Sequence, residues 1–113
     1  GETTEFFFKT PKYKASLLTW KETKKPEIIK ALELLTIILC DVKDGDFTAI
    51  KLKDILMPEA EKFGSGDRGK LLWPLRVALS GKEKSPGPFE IAEILGKEES
   101  LKRVNQAKKL IKK

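Results

Sequence analysis

From Pro26 onward the apolar residues Ile28, Ile29, Leu32, Leu35, Ile38 and Leu39 recur at intervals that keep them on one face of a helix and scatter them across both faces of a strand. Pro26 suits the first turn of such a helix, Glu27 adds an acid there, and Lys43-Asp44-Gly45-Asp46 supplies the stop. The spacing predicts a helix over 26–41. Strand signals are sparse, since Phe6-Phe7-Phe8 is the one aromatic run and is too short to build a sheet. A chain of 113 residues has room for one core. The expected fold is therefore all-α: a compact bundle of short helices in a single domain, 1–113.

Turn signals divide the remainder. A short helix is expected between Tyr13 and Trp20, presenting Leu17, Leu18 and Trp20. Thr48 is placed to cap a helix carrying Leu52, Ile55 and Leu56, with Ala60 and Phe63 beyond Pro58. Proline lacks the N–H and clashes with the carbonyl four residues back, so a kink or restart is expected at Pro58. Gly64-Ser65-Gly66 reads as a connection and Asp67 as the next cap. Leu71, Leu72, Leu75, Ala78 and Leu79 then mark a helix that stops at Gly81. Pro74 lies inside it at a cost of about 3 kcal/mol, which predicts a bend or a split. A short helix over 88–95, Gly96, and a last helix from Glu98 to Lys112 complete the chain.

The chain has no histidine, which excludes Ser-His and Cys-His catalysis, His metal sites and imidazole switching. Cys40 is the lone cysteine, so no intramolecular disulfide or multi-cysteine metal site can form, and its apolar neighbours predict a buried thiol. No catalytic residue, metal or cofactor is expected within these residues. Apolar runs fall far short of the ~20 residues of a membrane span, and a reducing, cytoplasmic setting is expected. The first residue is Gly1 rather than Met, which suggests an excised part of a longer protein. The net charge of +6 is unevenly placed. Residues 1–57 carry ten Lys against nine acids, whereas residues 58–113 carry ten Lys and Arg68, Arg76 and Arg103 against eight. The second half thus suits a polyanion through counterion release.

The loop after Gly81 has the most unusual chemistry. Pro86-Gly87 suits the centre of a type II turn. Pro88 has no N–H to close that turn, which would leave the Ser85 carbonyl free for a ligand. Gly87 can cap the next helix, with Pro88 first and Glu90 third. Arg76 lies about a turn before Gly81, so the loop must pass near it. A guanidinium stacks on a base and donates to its edge or to phosphate, and an exposed Phe89 would add a second stacking face.

Trp73-Pro74-Leu75-Arg76-Val77-Ala78-Leu79-Ser80-Gly81, then Ser85-Pro86-Gly87, then Phe89-Glu90-Ile91 leading into Leu95-Gly96-Lys97-Glu98, and finally Leu101-Lys102-Arg103-Val104 follow in an order and spacing that is specific. In these blocks the chain resembles the C-terminal anticodon-binding domain of bacterial glutamyl-tRNA synthetase, a class I aminoacyl-tRNA synthetase. The likeness is strong over residues 73–104 and looser around Phe6-Phe7-Phe8, Tyr13, Trp20 and the middle helices. It implies an all-helical domain divided into a lead-in (1–24), middle helices (25–66) and a subregion that contacts the anticodon loop (67–113).

The resemblance also implies the partners: the anticodon loop of tRNA-Glu, and a catalytic domain in cis that uses ATP with Mg. Neither that domain's His-Ile-Gly-His type motif nor its Lys-Met-Ser-Lys-Ser type loop occurs here, so a non-catalytic, monomeric RNA-binding unit is expected. Position by position, Arg76 matches the family arginine that contacts anticodon bases. Ser85, Pro86, Gly87, Pro88 and Phe89 match the loop that contacts the first and middle bases. The family more often has Leu at the place of Pro88, so any backbone N–H contact there is lost. The family's arginine for the third base falls upstream of Gly1, and no discrimination between Glu and Gln anticodons is expected. Lys82, Lys84 and Lys102 are candidates for phosphate contact, and equally ordinary solvated lysines. The competing reading is a helical protein-interaction module with an incidental basic surface. A helix-turn-helix on duplex DNA is disfavoured because no helix offers an exposed Arg, Asn and Gln face.

Overall fold

In a computed structural model describing residues 10–113, four helices follow one another: α1 (Lys25–Asp41), α2 (Ala49–Phe63), α3 (Gly69–Ser80) and α4 (Pro88–Lys112). Short 3-10 turns at Ala15–Leu18 and Asp44–Asp46 precede α1 and α2. No strand forms among the described residues, and none of their helices is long and apolar enough to cross a membrane. The Phe6-Phe7-Phe8 run lies outside the described residues.

The apolar period of α1 is fully used: Ile28, Leu32, Leu35 and Leu39 are buried, together with Ala31. At its start the Lys24 N–H donates to the Glu27 carboxylate at 3.2 Å. Thr48 caps α2 as expected, its hydroxyl accepting from the Lys51 N–H at 3.2 Å. Leu52, Leu56 and Ala60 turn inward from that helix. Of the expected alternatives, the restart at Pro58 and the split at Pro74 do not occur, because both helices continue through their prolines. Pro58 and Asp54, four residues earlier, are both exposed, so water can satisfy the carbonyl that loses its donor. Pro74 is buried in the core, where packing offsets its cost.

Gly96, with φ 83° and ψ 168°, breaks α4 into two arms, 88–95 and 97–112, matching the expected pair of helices. As a whole α4 packs most extensively against α1 and α3, and its second arm begins at Lys97. It also supplies cations to helix ends. Lys97 Nζ donates to the carbonyls of Cys40 and Val42 at 2.8 and 2.6 Å, closing the end of α1. Arg103 is 2% exposed; its Nη1 donates to the Leu79 carbonyl at 2.7 Å and its Nε to Glu99 at 2.9 Å. Such carbonyls lack partners within their own helix and carry the negative end of its dipole, so buried cations stabilise them. Arg103 therefore belongs to the core, not to the basic surface counted from the sequence. Cys40 departs in the other direction, since its thiol is exposed. It follows Leu39 by one position and so leaves the buried stripe.

Replacing Arg103 by Met removes the bond to Leu79 while keeping much of the apolar bulk. The expected loss is on the order of 2–3 kcal/mol, against about 1 kcal/mol for Lys97→Met at its half-buried site. Urea unfolding of the two variants checks the size and the order.

Candidate nucleic-acid interface

Gly69, Leu72, Trp73 and Arg76 recur at helical spacing along α3 and form one stripe of that helix. All four line a cleft of about 270 Å³ with Trp20, Pro88 and Phe89. The helix ends as its sequence indicates. Gly81 adopts φ 71°, and its N–H donates to the Val77 carbonyl at 2.7 Å. A Cβ at Gly81 would lie 2.6 Å from Pro11 Cβ as well as requiring the left-handed conformation. Ser80 Oγ donates to the Arg76 carbonyl at 2.7 Å and accepts from the Lys82 N–H at 3.1 Å, fixing the direction in which the loop leaves. Tyr13 packs beside Gly81, and burial pushes its phenol up to about 12, so it stays neutral.

Arg76 reaches into this loop. Its Nη1 donates to the Ser85 carbonyl at 3.0 Å, to Ser85 Oγ at 3.1 Å and to the Pro86 carbonyl at 3.3 Å. Ser85 Oγ in turn donates to the Pro86 carbonyl at 2.9 Å. The Ser85 carbonyl is thus occupied, not left free as the sequence suggested. All the bonds of Arg76 leave from one nitrogen. Nε and Nη2 have no protein partner among the described residues, and the side chain is half-buried.

The type II turn is absent. Gly87 has φ −57° and ψ 149°, an extended helix cap, and Pro88 follows it into α4. A Cβ at Gly87 would meet the Glu90 carboxylate, the mobile end of an exposed side chain that can move aside. Phe89 is 9% exposed, and Pro88 is likewise buried. An exposed stacking face at Phe89 is therefore corrected to a buried ring that borders the cleft. The burial follows from position: Phe89 precedes Ile91 and Ala92 on the arm that packs into the core. The structure thus brings together Arg76, Ser85, Pro86, Gly87, Pro88 and Phe89. Among them, Pro86 is exposed while Ser85 and Gly87 are half-buried. Lys84 and Lys102 are exposed.

Sequence reasoning missed the opposite wall. Trp20 and Trp73 face each other with ring centroids 5.4 Å apart and planes inclined by 36°. Trp20 Nε1 donates to both Asp67 carboxylate oxygens at 3.1 Å, and Trp73 Nε1 donates to the Leu17 carbonyl at 2.9 Å. Asp67 also accepts from the Gly69 N–H at 3.2 Å, which gives it the expected place at the start of α3. A Cβ at Gly69 would overlap the Trp20 indole, so this glycine admits the ring. Lys21 Nζ stands 5.1 Å from the centre of that ring. The available signal was slight: Gly69 stands four residues before Trp73 at the start of a helix, a place where a missing Cβ lets another group approach closely.

A larger hollow of about 760 Å³, bordered by Ile37, Cys40, Val42 and Ile55, shares no residue with this cleft. Only the smaller one joins indole faces to a guanidinium. Aromatic faces and a guanidinium plane are the groups on which unpaired bases stack.

The chain belongs to the family described as "Anticodon binding domain", whose family model matches residues 1–108. It is 40% identical over 106 residues to the glutamate–tRNA ligase of Clostridium tetani and 37% identical over 106 residues to that of Clostridium acetobutylicum. Each match covers 91% of this chain and 21% of the relative, so the chain spans about one fifth of the length of these enzymes. A crystal structure of a glutamate tRNA ligase from Elizabethkingia meningosepticum, in complex with its amino acid, superposes with a TM-score of 0.78 at 31% identity. That likeness covers 95% of this chain and 20% of the other, well beyond the 73–104 blocks.

The Trp20–Asp67 bond has a pH signature. Hydrogen bonding from Trp20 holds the Asp67 carboxyl below its ordinary value of 3.8, with Lys21, the Gly69 N–H and Lys70 adding to the effect against a smaller opposing desolvation. A depressed folded value means that this stabilisation is present in full above the unfolded value and is lost as pH falls through the folded one. Asp67→Asn is expected to make the acid limb of stability shallower as pH falls past the ordinary carboxylate value of 3.8. Urea midpoints followed by tryptophan emission test this; identical acid limbs would contradict it.

Proposed function

We propose that this domain holds the anticodon loop of tRNA-Glu for an enzyme that charges that tRNA with glutamate. The carrying observation is the arrangement at Arg76. One guanidinium nitrogen fixes Ser85 and Pro86, while Nε and Nη2 remain available beside an aromatic cleft. In this reading Arg76 donates to an anticodon base, and Ser85, Pro86 and Gly87 meet the neighbouring base through backbone and hydroxyl groups. Pro88 and Phe89 form the apolar floor against which a base comes to rest. A loop fixed in advance loses less entropy on binding, which favours affinity for a flexible single strand.

Activation of glutamate with ATP and Mg would belong to a catalytic domain in cis. Among the described residues no three His, Cys, Asp or Glu side chains gather to hold a metal ion, and the catalytic signature motifs are absent from the sequence. The working form is a monomeric domain of a cytoplasmic enzyme. The family match and the ligase relatives weigh against a protein-interaction module.

Fluorescence anisotropy with a labelled tRNA-Glu anticodon stem-loop tests the reading. Arg76→Ala is expected to weaken binding by on the order of 1.5–3 kcal/mol, the range for losing a hydrogen bond from a charged group. Wild-type binding should also weaken as salt rises. Unchanged affinity in Arg76→Ala would remove this residue from the interface, and absence of salt-sensitive RNA binding would overturn the function.

A further inference from the structure

The buried state of Phe89 raises a question about how a base could touch it. Its ring is 9% exposed, and the cleft it borders with Trp20, Trp73, Leu72, Pro88 and Arg76 is the described pocket in which Phe89 takes part. A base that approaches Phe89 therefore meets the indole pair that walls the same cleft. We propose that the Trp20–Trp73 wedge is a pocket for one unpaired base of the bound RNA, with Trp20, from the lead-in segment, as a wall of that pocket. This rests on the RNA-binding reading above and adds to it a residue outside the blocks that carry the family resemblance.

Three properties of the wedge support a flat aromatic guest. Both indole N–H groups already have protein acceptors, Asp67 for Trp20 and the Leu17 carbonyl for Trp73, so ring faces rather than polar edges remain to be used. The rings touch at 5.4 Å between centroids with their planes inclined by 36°, and the cleft they wall with Arg76, Pro88 and Phe89 holds about 270 Å³. That is just below the roughly 300–1,000 Å³ of pockets that enclose drug-sized ligands, which suits a single base and not a whole nucleotide. The walls are apolar apart from Arg76, so a bare phosphate would lose hydration with one cation to replace it. A base instead gains stacking and one or more guanidinium hydrogen bonds.

Trp20 is also held in place beforehand. Its N–H donates to Thr23 Oγ1 at 3.1 Å, and its carbonyl accepts from the Thr23 N–H at 3.0 Å. Lys21 takes the left-handed conformation, φ 52°, so that the chain turns sharply after the ring. The missing Cβ at Gly69 gives the indole its seat.

Trp20 and Trp73 are the chain's two tryptophans, so indole emission reports on the wedge directly. The tRNA-Glu anticodon stem-loop is titrated into wild type, Trp20→Leu, Trp20→Phe, and Trp73→Phe, in which Trp20 is the sole fluorophore; anisotropy of labelled RNA follows binding in parallel. Expected are quenching of Trp20 emission by the stem-loop, no quenching by inorganic polyphosphate, roughly tenfold weaker binding in Trp20→Leu, and recovery of most of that loss in Trp20→Phe. Stem-loop binding of wild-type strength to Trp20→Leu, with unquenched emission in Trp73→Phe, would overturn the pocket and leave RNA binding standing. No RNA binding by any form would overturn both. Circular dichroism checks the fold of Trp20→Leu, and should it unfold, the quenching arm on Trp73→Phe decides alone.

Discussion

The bond from the buried Arg103 to the Leu79 carbonyl joins the last helix to the end of α3, from which the loop carrying Ser85, Pro86 and Gly87 departs. A helix C-terminus buried in a core leaves carbonyls that water cannot reach, and a cation is an effective partner for them. With Leu79 satisfied by Arg103 and Gly81 in the left-handed conformation, the chain leaves the helix in one direction. Lys97 does the same for α1. The break at Gly96 lets α4 place one arm across the site and the other along the bundle.

From that fixed exit, Arg76 works across a short span of loop. Its Nη1 groups are used to hold Ser85 and Pro86, which makes the arginine part of the scaffold as well as part of the surface it presents. The two roles do not compete, because a guanidinium has five donors in a rigid plane and only one nitrogen is engaged. Lysine could supply the charge but not this division of labour.

Much of the scaffold was legible in the sequence. The stripe of α1, the Thr48 cap, the Gly81 stop and the Gly96 break are local signals, each set by residues a few positions apart. What was hidden depends on distant parts of the chain. Pro74 remains helical because the core around it outweighs a local cost. Trp20 meets Asp67 across 47 positions, so neither residue announces the other. Ser85 reads as an open carbonyl until Arg76 is seen to occupy it. Phe89 and Cys40 exchange the expected environments because one position on a helix turns a side chain by about 100°, and neighbouring apolar residues do not decide the face.

The central claim is that one cleft, bounded by Arg76, the 82–87 loop and the two indoles, receives the RNA. Two-dimensional ¹H–¹⁵N spectra of the labelled domain, recorded with and without the tRNA-Glu anticodon stem-loop, test it in one measurement because the two indole Nε1–H groups, Arg76 Nε–H and the backbone amides of Lys82 to Ser85 are all visible together. Shifts concentrated on these groups, with the amides lining the hollow near Ile37 and Cys40 unmoved, are the result expected. Shifts confined to that hollow or to lysines elsewhere, with the indole and Arg76 signals unchanged, would contradict it.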